Sequence, residues 1–449
     1  MNVIVSVKSQ LARLATPHVL RFLGMDIAGS FKWLGATTNW SPQARAAWRL
    51  ERLNGLLDFC WKHVRFYREY WGDHGVRQRR LGAVEELAAF PVLQKELLKA
   101  SPDAFVPDTL SAYPHKQDST GGSTGQPIKY RQDLELHALR HAFLYHGWGL
   151  AGYRFGDPLA VLSGGRLLPD LKRLSRGRVR ATLERTLPLM GVHMDPELAR
   201  HYHRRMVAFG ARFLHGYPSI ISEFATCLAD QGLSLTELEG VFTTAEMLLP
   251  RYRENIEARL HCRVWDSYGC NDGGILSWEC SRHDGLHYND LESIIECLDQ
   301  QANGSGRLLI TNLWNHSLPF VRYESGDLVT LAETQCSCGQ PFPLIKSVIG
   351  RTADILRFGN GRILSGPALT LIFRDMPIDA WQVVQTGANR IEVLVKSAKH
   401  LSAESRHFIR SVLSSHAGEN VEIVIQKVDS LRATAAGKWK PVWSLEEVA

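Results

Sequence analysis

From about residue 157 onward the chain repeats one alternation that few folds accommodate. Short apolar runs, "PLAVLSG", "RFLHGYPS", "GVFTTAE" and "CRVWDSYG", are separated by helix-like stretches such as "SIISEFATCLADQG" and "LPRYRENIEARL". That order predicts a layered α/β domain with a largely parallel sheet. Ligands of such sheets bind beyond the carboxyl ends of the strands, where "HGYPS", "TTAE" and "SYGCND" fall. Upstream, Leu53, Leu56, Leu57, Cys60 and Val64 recur at helical spacing, so residues 43–72 are read as helical. Downstream, "ESIIECLD", "GRLLITNL" and "FVRYESGDLVTLA" make a β-rich stretch. The final segment reads as two strands ("AWQVVQTG", "RIEVLVKSA"), a helix over residues 402–416 ending near Gly418, and a further strand, "VEIVIQKV", which together form a compact α+β unit. The expected division is a large domain over residues 1–350 and a small one over 351–449, meeting near "GRTAD".

A hydrophobic content of 45% supplies sizeable cores for both units. No apolar run reaches about eighteen residues, and Lys8, Arg13 and Arg21 interrupt the apolar stretches of the N-terminal segment. The expected compartment is therefore the cytoplasm. That segment reads as a terminal helix packed on its own domain, with weak contact to a membrane surface as the alternative. A formal charge of +6 favours anionic ligands without selecting one. The arginine-dense stretch over residues 165–185 lacks aromatic interleaving, so it is read as a solvated face or mobile loop, and no nucleic-acid partner is expected. Eight cysteines in a chain of 449 residues read as reduced thiols or metal ligands.

The stretch "DSTGGSTGQP" concentrates hydroxyls and glycines in a way that suits a polyphosphate, because glycine admits close backbone approach and Ser and Thr add donors. It is not an ATPase P-loop, since Gly125 is followed by Gln126 and Pro127. Further along come, in order, "VFTTAEML", "DSYGCND", "VRYESGD", "IGRTAD" and "AAGKWKPV". This ordered set resembles the adenylate-forming (acyl-adenylate) enzymes, specifically the phenylacetate–CoA ligase family and its capsule-biosynthesis branch. With "HVRFYREYWGDHGV", "FPVLQKELL" and "HGYPSIISEF", the likeness runs from about residue 45 to residue 441.

The resemblance implies ATP-dependent activation of a carboxylic acid, release of pyrophosphate, and transfer of the acyl group to coenzyme A. Two anions meet in the first step, so catalysis rests on charge neutralisation and alignment rather than on a protein nucleophile. Ser119, Thr120, Gly121, Gly122, Ser123, Thr124 and Gly125 are implied to hold the β- and γ-phosphates, with Lys129 either assisting or lying on a strand surface. Ala245, Glu246, Asp266, Ser267, Tyr268 and Gly269 are implied to surround AMP, with the Tyr268 ring against adenine. Asp327 matches the aspartate that accepts the ribose hydroxyls, and Arg351 adds a ribose or phosphate contact. Asp272 stands where the family usually has glutamate, as the magnesium ligand. Lys438 matches the small domain's catalytic lysine, with Lys440 as the alternative, and rotation about the segment containing Asp354 would carry it away after adenylation.

His215, Gly216, Tyr217 and Pro218, with Ser219 and Thr244, are candidates to line the carboxylate pocket; Tyr217 reads equally well as core. Cys280, Cys336 and Cys338 with one histidine suit tetrahedral structural zinc, and the family's "GLH" element selects His287 over His283. The expected partners are a small-molecule carboxylic acid and coenzyme A, with a homodimer left open. The capsule-biosynthesis likeness points toward surface-polysaccharide or lipid pathways by association only. Two alternatives stay open: a non-CoA acceptor, and a catalytically weakened nucleotide-binding protein, suggested by Asn271, Asp272 and Ala353 at positions where the family usually differs.

Overall fold

The structure is a computed structural model. It describes residues 24–449 except 120–128, 164–175, 191–193, 302–303, 352–354, 361, 366–368, 370–371, 374–375, 377, 398–400, 419, 434–438 and 449, together with Thr16, His18, Val19 and Arg21. The basic N-terminal segment and residues 165–175 of the arginine-dense stretch thus lie largely outside the described residues.

The predicted early helix is present as Pro42–His63. Ser41 caps it by accepting from Ala44 N at 3.1 Å, and Pro42 occupies its first turn. Its stripe of Leu53, Leu56, Leu57 and Cys60 is buried and packs, with Tyr67 and Trp71, into a core shared with Ile294, Leu308, Ile310, Val329 and Ile345. Arg45, on the same helix, forms a buried ion pair with Asp290, tying the helix to the rim of the main sheet.

Strands β1 (His115–Ser119) and β2 (Lys129–Asp133) form a separate antiparallel ribbon in which Ser119 pairs with Lys129. The main sheet then begins with β3 (Leu159–Ser163), β4 (Thr186–Met190), β5 (Phe213–Gly216), β6 (Gly240–Thr243) and β7 (Arg263–Cys270). As the alternating pattern predicts, these pair in parallel, in the order β4-β3-β5-β6-β7, with helices Pro196–Phe209, Pro218–Asp230 and Pro250–Leu260 as crossovers. Beyond β7 the sheet turns antiparallel through β8 (Ile275–Glu279) and β9 (Leu286–Tyr288), and is completed by β10 (Ser293–Leu298), β11 (Gly306–Asn312), β12 (Tyr323–Leu331) and β13 (Leu344–Arg351). The result is one 11-stranded mixed sheet, ordered β10-β11-β12-β13-β9-β8-β7-β6-β5-β3-β4.

After a short ribbon of β14 (Ile355–Arg357) and β15 (Ile363–Ser365), the C-terminal segment forms a second sheet. Strands β16 (Ala380–Gly387) and β17 (Arg390–Lys396), helix Ala403–Ala417 and β18 (Glu422–Lys427) follow the expected order. One further strand, β19 (Val442–Trp443), adds a parallel edge to β16, giving the order β18-β17-β16-β19. Its core gathers Val383, Val393, Ile409, Leu413 and Val442 apart from the cores of the main sheet.

The described end of the arginine-dense stretch departs from the solvated reading. It forms helix Arg176–Leu183, and Arg180 is partly buried there, its Nε donating to Glu184 Oε1 at 2.8 Å. Among the described residues no helix is long and apolar enough to cross a membrane.

Helix Leu134–Leu150 lies against β8 and depends on one glycine for that approach. A Cβ at Gly147 would stand 2.3 Å from Cγ of the buried Trp278. Replacing Gly147→Ala is expected to destabilise the protein by about 1–3 kcal/mol, seen as a lower midpoint of urea unfolding.

Candidate active site and metal centre

The carboxyl ends of β5 and β6 carry "HGYPS" and "TTAE" as expected. His215 Nδ1 lies 3.1 Å from the Phe242 carbonyl and its ring packs 5.0 Å from Trp148. Burial pushes this imidazole down to about 4, so it is neutral at physiological pH. Gly216 cannot be replaced without moving backbone, because a Cβ there would meet the Leu162 carbonyl oxygen at 1.9 Å. Tyr217 is fully buried with Ile220, Ile221 and Phe224. Pro218 starts helix Pro218–Asp230.

Ala245 holds φ at 68°, a left-handed backbone that non-glycine residues seldom adopt. The next side chain, Glu246, accepts from Ser219 N at 3.2 Å through one oxygen and from Trp439 N through the other. Glu246 thereby joins the ends of β5 and β6 to the C-terminal segment one residue beyond Lys438.

Strand β7 is the seam of the sheet. Its residues up to Asp266 pair in parallel with β6, and from Ser267 onward they pair antiparallel with β8. Thr243 Oγ1 donates to Asp266 Oδ1 at 2.7 Å, and Ser267 Oγ donates to the Thr243 carbonyl at 2.7 Å. The side chains of Asp266 and Ser267 thus lace β6 to β7, and Gly269 is exposed beside them. Burial, reinforced by the charge of Glu279, pushes the Asp266 carboxyl up to about 7.

Tyr268 donates to Asp327 Oδ2 at 2.6 Å, and Tyr323 donates to Asp272 Oδ2 at 2.7 Å. Two motifs far apart in sequence, "YGCND" and "YESGD", are therefore joined by a reciprocal pair of tyrosine-to-aspartate bonds. Cys270 Sγ adds a contact to Asp272 Oδ1 at 3.2 Å. Asp327 is paired across β12 and β13 with Arg351. Tyr323 was missed as a site residue, although the alternation of β12 puts positions 323, 325 and 327 on one buried face, and each tyrosine precedes its motif's aspartate by the same spacing. Arg140 was also missed: its Nη2 donates to Asn271 Oδ1 at 3.0 Å, while Gln132 Nε2 donates to the Asn271 carbonyl at 3.2 Å.

Residues 120–125, Asp354 and Lys438 lie outside the described residues, and of Ser119 and Arg351 only the strand positions are described. The phosphate-loop candidates are thereby bracketed between paired strands, Ser119 opposite Lys129, and Lys129 is exposed. Lys440, the alternative to Lys438, is buried with its Nζ 5.9 Å from the centre of the Trp443 ring.

Cys280, His287, Cys336 and Cys338 come together with their ligand atoms all within 4.8 Å of one another. Cys338 Sγ lies 3.3 Å from His287 Nε2, and Cys280 Sγ lies 3.6 Å from Cys336 Sγ. His287 Nδ1 donates to the Phe342 carbonyl at 2.7 Å, which fixes the tautomer and turns Nε2 to the thiols. His283 is not part of this cluster; its Nδ1 lies 3.0 Å from Glu279 Oε2. Burial pushes the Cys280 thiol up to about 12, so thiolates in this setting require a cation beside them.

The Asp266 shift has a signed consequence. An unfolded aspartate releases its proton at about 3.9, whereas the native one holds it up to about 7. Native stability is therefore expected to fall as pH rises across that window and then to level off. Asp266→Asn keeps an oxygen for Thr243 and should flatten the decline, measured as urea midpoints through the window.

No family model matches the chain. Protein CapK of Staphylococcus aureus is 23% identical over 86% of this chain and 86% of its own. Phenylacetate-coenzyme A ligases of Thermus thermophilus and Pseudomonas putida are 25% and 26% identical, covering 68% and 69% of this chain and 70% and 71% of their own. Among solved structures, 2-hydroxyisobutyryl-CoA ligase in its postadenylation state, in complex with R3-HIB-AMP, matches with a TM-score of 0.66 at 19% identity over 89% of each chain. The same ligase in complex with 2-HIB-AMP and CoA in its thioesterification state matches with a TM-score of 0.58 over 91% of each chain. Ordered motifs and this set of relatives lead to one conclusion: the chain is similar to CapK and to the phenylacetate-coenzyme A ligases, and it has the mixed α/β fold of the adenylate-forming ligases.

Proposed function

We propose that this protein uses ATP to activate a carboxylic acid as an acyl-adenylate and passes the acyl group to coenzyme A. The observation that carries the reading is the reciprocal bonding of Tyr268 to Asp327 and of Tyr323 to Asp272, which puts the adenine, ribose and magnesium candidates in one place. In the first step a carboxylate oxygen forms a bond to the α-phosphorus while the bond to pyrophosphate breaks. Ser119 and residues 120–125 would hold the departing phosphates, and Asp327 the ribose hydroxyls. Asp272 keeps unused lone pairs on oxygens already oriented by Tyr323 and Cys270, so it fits as a magnesium ligand. Magnesium there would offset phosphate charge.

Lys438 follows the family assignment as the cation that meets the reacting carboxylate and α-phosphate. Its neighbour's contact supports this: Trp439 N is bound by Glu246, at the carboxyl end of β6. In the second step the thiol sulfur of coenzyme A attacks the acyl carbon and AMP leaves. Residues 351–449 would act as the mobile unit, turning near Asp354 to exchange Lys438 for the thiol, while residues 1–350 hold the adenylate. Cys280, His287, Cys336 and Cys338 would hold a structural zinc ion; four protein ligands leave no position for a substrate.

Acid-dependent exchange of pyrophosphate into ATP tests the first step. Lys438→Ala is expected to lower exchange by about 100-fold or more while ATP still binds; undiminished exchange would refute the lysine assignment. Metal analysis should find stoichiometric zinc, lost in a Cys336→Ser, Cys338→Ser variant together with a drop in thermal midpoint. Absence of zinc from the carefully purified wild type would remove the metal from the picture.

A further inference from the structure

One group of basic side chains has no place in the chemistry above. His137 and His141 are one turn apart on helix Leu134–Leu150, their rings 4.2 Å apart. His137 is 9% exposed. Arg140, on the same helix, is 4% exposed. Lys116 of β1 and Arg180 of helix Arg176–Leu183 face the two histidines closely enough to depress both imidazoles, after burial itself. Both histidines stay well below the ordinary histidine range and so act as neutral donors or acceptors.

The anions near this group are each engaged elsewhere or weakened. Glu184 is taken by Arg180 at 2.8 Å, and Glu292 lies 3.6 Å from Arg140 Nε. Burial pushes Glu292 up to about 8, which weakens it as a counterion. Asp118 is exposed at the rim and bonds to Tyr130. Burial, with Arg140 adding to it, lowers the Lys116 ammonium to about 8, although the charge of Asp118 at the rim acts in the opposite direction. Partly buried cations without matching anions are costly unless a ligand supplies the charge. The group is also joined to the candidate active site, since Arg140 bonds Asn271, the neighbour of Asp272.

We infer that the acid activated here carries a second anionic group, a carboxylate or a phosphate, seated among Lys116, Arg140 and Arg180 with His137 and His141 as neutral partners. This rests on the adenylation reading, deepening it from any carboxylic acid to a doubly charged one. The second group anchors the far end of the substrate while the first carboxylate meets the α-phosphate.

The test compares matched acids in pyrophosphate exchange: butanoate against succinate, phenylacetate against 4-carboxyphenylacetate, and 3-phosphonopropanoate to separate phosphate from carboxylate. The doubly charged members should be favoured in kcat/KM by about tenfold or more, the scale of one desolvated charge contact. Lys116→Met leaves Asp118 exposed to solvent and bonded to Tyr130, so it strands no buried anion. It should abolish that preference while leaving the KM for ATP unchanged. Binding is read separately: the preferred diacid should raise the thermal midpoint of the wild type and take up protons at about pH 8, as an anion restores the Lys116 ammonium, and neither effect should survive in Lys116→Met. Equal use of monoacids, or a loss that falls on the KM for ATP, overturns the inference. Diacid stabilisation without exchange by any acid would sink the adenylation reading and leave the anion site standing. No exchange and no stabilisation would sink both.

Discussion

Everything at the candidate active site depends on β7 changing partners midway. Its first half is held by parallel β6 and its second half by antiparallel β8. Parallel strands require crossover helices, so the β3-to-β7 half is a layered α/β unit. Antiparallel strands do not, so the chain beyond Cys270 can build its half from ribbons. The residues between these regimes, Asp266 to Asp272, stand where both halves of the sheet converge. Thr243 reinforces the seam from the parallel side, and Tyr323 and Asp327 reinforce it from the antiparallel side.

The same geometry explains why polar groups at this site are so often engaged with one another. Asp266, Asp272, Asp327 and Glu246 are carboxylates in partly or fully enclosed positions, and each accepts a hydrogen bond from a neighbour on a different strand or loop. An enclosed carboxylate without such donors would be strongly penalised. With them it is fixed in orientation before a ligand arrives, which is what a site that works by alignment and charge neutralisation needs. The metal candidates follow a similar logic on the antiparallel side. His287 on β9 is braced by the Phe342 carbonyl and by the Trp278 ring 4.9 Å away, so the imidazole is held without the metal having to order it.

Much of this was legible in order and spacing. The alternation of apolar runs with helices announced the parallel half, and the Leu53, Leu56, Leu57 stripe announced the early helix, because both patterns record burial against a partner of known period. The three cysteines Cys280, Cys336 and Cys338 were legible as soft ligands, while the choice of His287 over His283 came from the family resemblance. Tyr217 and Tyr323 show the limit. Both are tyrosines within motif segments, yet one is swallowed by the core and the other positions a carboxylate, and single-residue identity does not separate these fates. Lys116 and Arg140 drew no reading from the sequence and Arg180 lay in a stretch read as solvated, since nothing local relates a ribbon strand to two helices.

By itself, then, the amino-acid order determined which elements form and which residue types are present at their ends, since helix and strand periodicity and loop chemistry are local properties. Which of those ends meet was decided only by the tertiary structure. Hydrogen-bond registers running from β6 through β7, β8, β9 and β13 to β12 place Glu246, Tyr268, Asp272, Asp327 and Arg351 relative to one another, and a register is a relation between distant segments that no single segment carries.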